Sequence, residues 1–238
     1  GKNATERKRF GPSCKYATSK DLIHWHFENY LPLMKDVNDD TNALAKNIWA
    51  PEYYYDDATK EYTLLWSSTF KSEGWQNSRL WYCKTKDWKN FTPAKVLFAP
   101  DYSVIDGTLI KYDGTYYLFH KEEEFGVKTG ERRGIRVASS KNLEGPYTVY
   151  GGALNNGQIA PTITEGPSVI QDPINNKGWL LFYDYPMADD YGISSSKDLL
   201  HWTIEKDVSL PPDARHGSLS RLTSAEAKAL QEAYPNSK

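Results

Sequence analysis

Three acidic residues and one histidine recur at comparable intervals along the chain. They are Glu52 in Trp-Ala-Pro-Glu, Asp106 in Val-Ile-Asp-Gly, Glu165 in Thr-Glu-Gly-Pro and His216 in Arg-His-Gly-Ser, separated by 54, 59 and 51 residues. Paired carboxylates can divide general acid–base work: one stays protonated and donates, while the other activates water. Each residue also has a purely structural reading. Glu52 is either a solvated strand-end acid or a hydrogen-bond acceptor for a ligand, and His216 is either a core histidine or a site residue. Asp106-Gly107 could form a hairpin turn, but Asp113-Gly114 supplies that turn seven residues later. Glu165 could be an ordinary loop acid.

The elements that would hold these residues appear in an internal repeat. One phrase occurs four times, as TSKDLIHW (18–25), KTKDWKNF (84–91), SSKNLEGPY (139–147) and SSKDLLHW (195–202). Its lysines, Lys20, Lys86, Lys141 and Lys197, are 66, 55 and 56 residues apart. Between them lies an aromatic and aliphatic phrase suited to strands, EYTLLWSS from Glu61, TYYLFHK from Thr115 and GWLLFYD from Gly178. A turn signal precedes each, and before each turn comes a third phrase containing one of the marked acids.

Units of about 50 residues with four strands each predict an all-β propeller. Three units are complete: Glu52 to about Phe98, Tyr102 to about Tyr150, and Thr164 to about Val208. The first unit begins at its third strand (13–18) and the last offers only its first (217–222), so the reading is one propeller domain over 1–238 that lacks upstream strands. A short C-terminal helix is expected over 224–234, with Thr223 or Ser224 as N-cap. First strands of propeller blades line a central channel, so Glu52, Asp106, Glu165 and His216 converge there. Like charges in one pocket raise one another's pKa and are costly without a task.

Aromatic residues make up 14% of the 238, enough to line a dish with apolar faces. Trp49, three residues from Glu52, is the favoured platform for a sugar ring, ahead of Trp66 and Trp75. Carboxylates beside aromatics suit glycoside hydrolysis, in which an acid protonates the leaving oxygen. A net charge of −2 gives no reason to expect a nucleic-acid partner, and no apolar run is long enough for a membrane helix. Cys14 and Cys83 match no zinc pattern and are read by default as structural thiols, with pairing left open. The sequons at Asn3 and Asn90 carry little weight.

In order and spacing, SKDLIHW, WAPE, VIDG, YYLFHKE (116–122), EGP and ARHGS (214–218) resemble family 43 of the glycoside hydrolases. These are five-bladed β-propellers that include β-xylosidases and α-L-arabinofuranosidases. The resemblance implies inverting cleavage of pentose-containing plant oligo- or polysaccharides outside the cytoplasm, by a monomer or weak homo-oligomer. It makes Glu165 the general acid, makes Asp106 the residue that orients the acid and raises its pKa, and lets Arg215 contact sugar hydroxyls. It puts His216 beneath the site, near where an ion sometimes binds. No cofactor is required, a structural calcium on the axis is the one ion expected, and its ligands are unknown. Two departures stand out. The family's Ile-Asp-Pro reads Ile105-Asp106-Gly107, and no residue matches its general base. Asp21 belongs to the repeated turn, and Asp36, Asp39 and Asp40 to an acidic loop, so the base is expected upstream of Gly1. A carbohydrate-binding propeller without that base is the alternative.

Overall fold

The computed structural model describes residues 13–35, 37, 47–70, 73–74, 76–123, 131–154, 157–174, 176–188, 190–205 and 215–235. Trp75, the Asn3 sequon and positions 36, 39 and 40 lie outside them. Within the described residues the chain forms β1 (Cys14–Ser19), β2 (Trp25–Leu31), β3 (Trp49–Asp56), β4 (Glu61–Ser68), β5 (Arg79–Thr85), β6 (Lys95–Phe98) and β7 (Val104–Tyr112). There follow β8 (Thr115–Glu122), β9 (Gly134–Ser140), β10 (Thr148–Val149), β11 (Glu165–Gln171), β12 (Trp179–Tyr185), β13 (Asp190–Ser196), β14 (Trp202–Ile204) and α1 (Ser224–Ala233).

The strands build three four-stranded antiparallel sheets, β3–β6, β7–β10 and β11–β14, each a meander in sequence order, plus the pair β1–β2. These match the three complete units read from the repeat. The expected last inner strand at 217–222 is the exception. It runs without ladder pairing, tied to β11 by the Leu219 N–H on Ser168 Oγ at 3.1 Å.

The core lies between sheets. Leu64 and Trp66 of β4 enter the cluster shared with β1–β2, whereas Leu65 enters the one shared with the second sheet. In β8, Leu118 faces the first sheet and Phe119 the third. A strand covered on both faces must be apolar at successive positions, which is why the aromatic phrase does not alternate. Trp66 is fully buried, so it is no sugar platform.

The recurring Lys-Asp phrase forms the turn between the third and fourth strands. Asp198 Oδ1 accepts the N–H groups of Leu200 and His201, and Oδ2 bonds His201 Nδ1 at 2.6 Å. Asp21 does the same for Ile23 and His24, and Asp87 for Lys89 and Asn90. The following residues, Leu22, Trp88 and Leu199, have φ of 63°, 57° and 69°. The aspartate therefore supplies the acceptors that make this turn affordable for non-glycine residues. Both cysteines are free thiols, Cys83 buried and Cys14 partly so. Helix α1 starts from Thr223, which forms a reciprocal capping box with Glu226.

Candidate active site

Each inner strand carries one extra residue at the same height. In β3, Trp49 faces Ser67 and Glu52 faces Leu65; in β7, Ile105 faces Lys121 and Thr108 faces Phe119; in β11, Glu165 faces Asp184 and Ser168 faces Phe182. Three residues thus span what two span on the partner strand, which is a β-bulge. Its first residue is left-handed in all three: Ala50 at φ 42°, Asp106 at 54° and Gly166 at 59°. His216, in the unpaired segment, also sits at 42°. The four bends line a cavity of about 220 Å³ together with Glu52 and Ser218.

This register corrects the equivalence drawn from spacing. Asp106 corresponds to Ala50 and Gly166, Glu165 to Trp49 and Ile105, and Glu52 to Thr108 and Ser168. Asp106 sits at the bulge inside β7. Gly107 suits its place because a Cβ there would lie 2.7 Å from Leu80, so a small residue stands where the resemblance led one to expect proline.

The bends nevertheless bring the chemistry together. One oxygen of Asp106, one of Glu165 and one ring nitrogen of His216 lie within 4.8 Å of one another. Asp106 is buried; its Oδ2 accepts the Gly166 N–H at 3.1 Å, and its own N–H donates to Ser67 Oγ at 3.2 Å. Glu165 Oε2 accepts from Lys121 at 2.8 Å. Glu165 Oε1 accepts from Arg215 at 2.5 Å and meets His216 Nε2 at 3.2 Å. Arg215 Nε in turn donates to Asp184 Oδ2 at 2.5 Å. Glu52 stands at the rim, accepting from Ser218 Oγ at 2.6 Å. Trp49 is half-exposed and is not among the described residues lining the axial cavity. The core-histidine reading belongs to His120, which is buried against Tyr102 Oη at 2.8 Å, not to His216.

These environments push the two acids apart. Burial raises Asp106 to about 6, against the opposing pull of His216, the Gly166 N–H and Lys121. Glu165 is lowered to about 2, chiefly by its hydrogen bond to His216 and also by Lys121, despite partial burial. His216 is raised, first by that same bond and then by Asp106 and Asp184. Burial lifts Glu52 as well, although Ser218 and the Tyr53 N–H work against it.

Sequence reasoning missed Lys121, Asp184 and Ser67. A signal was present: each is the seventh residue of its aromatic phrase, the polar position after a mostly apolar run. Calcium takes six to eight oxygen ligands. Here Asp106, Glu165 and His216 are ringed by the cations Lys121 and Arg215, so this donor set does not fit calcium.

The chain is 32% identical over 200 residues to an α-L-arabinofuranosidase of Bifidobacterium longum subsp. longum, covering 70% of this chain and 18% of that protein. It is 26% identical over 195 residues to an extracellular endo-α-(1→5)-L-arabinanase of Thermotoga petrophila, covering 82% and 30%. The chain thus spans less than a third of either relative. The fold matches an exo-β-1,3-galactanase from Phanerochaete chrysosporium at TM-score 0.60 and 14% identity, over 87% of this chain and 46% of that one. It matches a fructofuranosidase from Schwanniomyces occidentalis at 0.56 and 13%, over 68% and 34%. Residues 12–228 match the family-43-related model described as "Probable glycosyl hydrolase domain", and a match over nine-tenths of the sequence, on a frame whose bends gather two carboxylates, makes this chain a member of that glycosyl hydrolase family.

Proposed function

We propose that the protein is an inverting glycoside hydrolase acting on arabinose- or xylose-containing plant oligo- or polysaccharides outside the cytoplasm. In this reading the sheets belong to a single five-bladed catalytic propeller. The pair β1–β2 fills the third and fourth places of a blade whose first two strands precede it. The observation that carries the reading is the meeting of Asp106 and Glu165, from adjacent sheets, within 4.8 Å at the axial cavity. The names of the two curated relatives favour arabinose linkages over xylose.

Glu165 donates the proton to the leaving oxygen, and Asp106 positions it. Inversion needs an acid and a base roughly 6.5–9.5 Å apart, with water between them. Asp106 is too close to Glu165 to be that base, which we assign to an aspartate on an upstream strand. Glu165 is an anion in the arrangement described, so donation requires part of its cationic shell to withdraw. Arg215, the most exposed of its partners, is the one that sugar hydroxyls can draw away.

One observation favours a second reading, a carbohydrate-binding propeller without turnover: Lys121 and Arg215, with His216 beside them, hold Glu165 ionised. A panel of nitrophenyl pentosides and arabino-oligosaccharides decides between the two. Release of sugar with inverted anomeric configuration supports the enzyme. Saturable binding without release supports the binding module, and neither outcome on any member of the panel overturns both.

A further inference from the structure

We propose that Lys121 and Asp184 are the positioning residues of Glu165: from one ladder position in adjacent sheets they hold both of its oxygens, Lys121 directly and Asp184 through Arg215 and His216. The step they serve rests on the hydrolase reading above, but the geometry stands without it.

The three second strands obey a common rule. The residue facing the position just before each bulge reaches out of its own sheet to the next inner segment. Ser67 meets the Asp106 N–H, Lys121 meets Glu165, and Asp184 meets Arg215 and His216. The type of residue changes from sheet to sheet while the direction of the contact does not.

Lys121 is 4% exposed and shared between Glu165 Oε2 at 2.8 Å and Glu123 Oε2 at 2.7 Å. Glu123 comes from two residues further along, just past the end of β8, on the same side of the extended chain. Glu122 points the other way, to Arg132 and Arg136. Asp184 is 0% exposed and works from the opposite flank, with Oδ2 on Arg215 Nε and Oδ1 3.4 Å from His216 Nε2. Among the described residues Asp184 Oδ1 has no hydrogen-bond partner, and a Cβ on Gly166 would approach it to 2.8 Å. The bulge glycine is therefore what lets this carboxylate come so close. Each oxygen of Glu165 thus meets a cation that a second carboxylate also claims. The groups facing Glu165 are Lys121 from β8, Asp106 from β7, Asp184 from β12, Arg133 from the segment before β9, and Arg215 and His216 from the segment after β14, with Glu123 behind Lys121.

Two near-isosteric variants pull in opposite directions. Glu165 must be protonated to donate, so activity holds below its working pKa and falls above it. Lys121→Met removes a cation from the carboxylate, and the alkaline limb of kcat should move up by about one pH unit. Asp184→Asn removes the carboxylate that competes with Glu165 for Arg215 and His216, and the limb should move down by about one unit. With nitrophenyl leaving groups, which need no proton, neither displacement should appear. The ¹³C titration of the Glu165 carboxyl, assigned against Glu165→Gln, should show the same opposed shifts without any turnover. It decides the positioning role even if no glycoside is hydrolysed. If Asp184→Asn does not fold, Arg215→Gln, at a side chain 40% exposed, should raise that titration. Shifts in one direction, or loss of amplitude with unmoved midpoints, overturn the proposal.

Discussion

At the sheet turns and on the axis the protein sets a carboxylate beside a histidine, with opposite results. Asp198 of the turn meets His201 and two backbone N–H groups, and those donors outweigh its burial and hold it far below the usual aspartate range. Asp106 of the axis receives one backbone N–H amid buried surroundings, and burial lifts it to about 6. The aspartate recurs in three of the four turns, as Asp21, Asp87 and Asp198 with Asn142 in the fourth, because those turns join their strands in the same way. The axial positions differ from sheet to sheet because they do different jobs. Within a repeat protein, what repeats holds the frame, and what varies at a fixed height is where chemistry is placed.

The sharpest way to break this contrast is to neutralise one acid in each region. Glu165→Gln should lower kcat on unactivated glycosides by about 10²–10⁴-fold and spare substrates with good leaving groups. Asp198→Asn should leave kcat within about twofold, since it lies away from the cavity. Equal losses in steady-state kinetics would erase the distinction.

The pH dependence of stability separates the regions next. A carboxyl raised from about 3.9 unfolded to about 6 folded destabilises the fold progressively as pH rises from 4 to 6, by roughly 3 kcal/mol in full. Asp106→Asn keeps an oxygen for the Gly166 N–H and removes that titration. Its stability relative to wild type should therefore rise by about that amount between pH 4 and pH 7 in urea unfolding. A difference that does not vary with pH would show that Asp106 is not held in its high-pKa state. Smaller effects follow at the bulge and at the turn. Gly166→Ala puts a Cβ 2.8 Å from Asp184 Oδ1 at φ 59°, and should cost about 1–3 kcal/mol along with kcat. Asp198→Ala removes the turn acceptor and should cost about 0.5–2 kcal/mol, the scale of a lost helix cap, with kcat unchanged. Measured melting temperatures and kcat for the two variants rank them.

Much of the frame was legible. The order of strands in all three complete sheets, the turn phrase and the Thr223 cap follow from local patterns, because hairpins and caps are built from neighbouring residues. Asp106, Glu165 and His216 were also named, since carboxylates and a histidine recurring among glycine, proline and aromatics are unusual, whereas Arg215 came only through the family resemblance. Glu52, Asp106 and Glu165 were set in one register although each holds a different one, and 217–222 was read as a strand although it has no ladder partner among the described residues.

The sequence by itself determined a repeated meander whose apolar second strands are covered on both faces and three of whose turns are anchored by aspartate. Only the tertiary structure decided that Lys121 and Asp184 close around Glu165. The reason is the bulge: one inserted residue per inner strand re-aims every side chain at that height, and the contacts it creates run between sheets some 30 to 60 residues apart in the chain. No local pattern reports a meeting at that range.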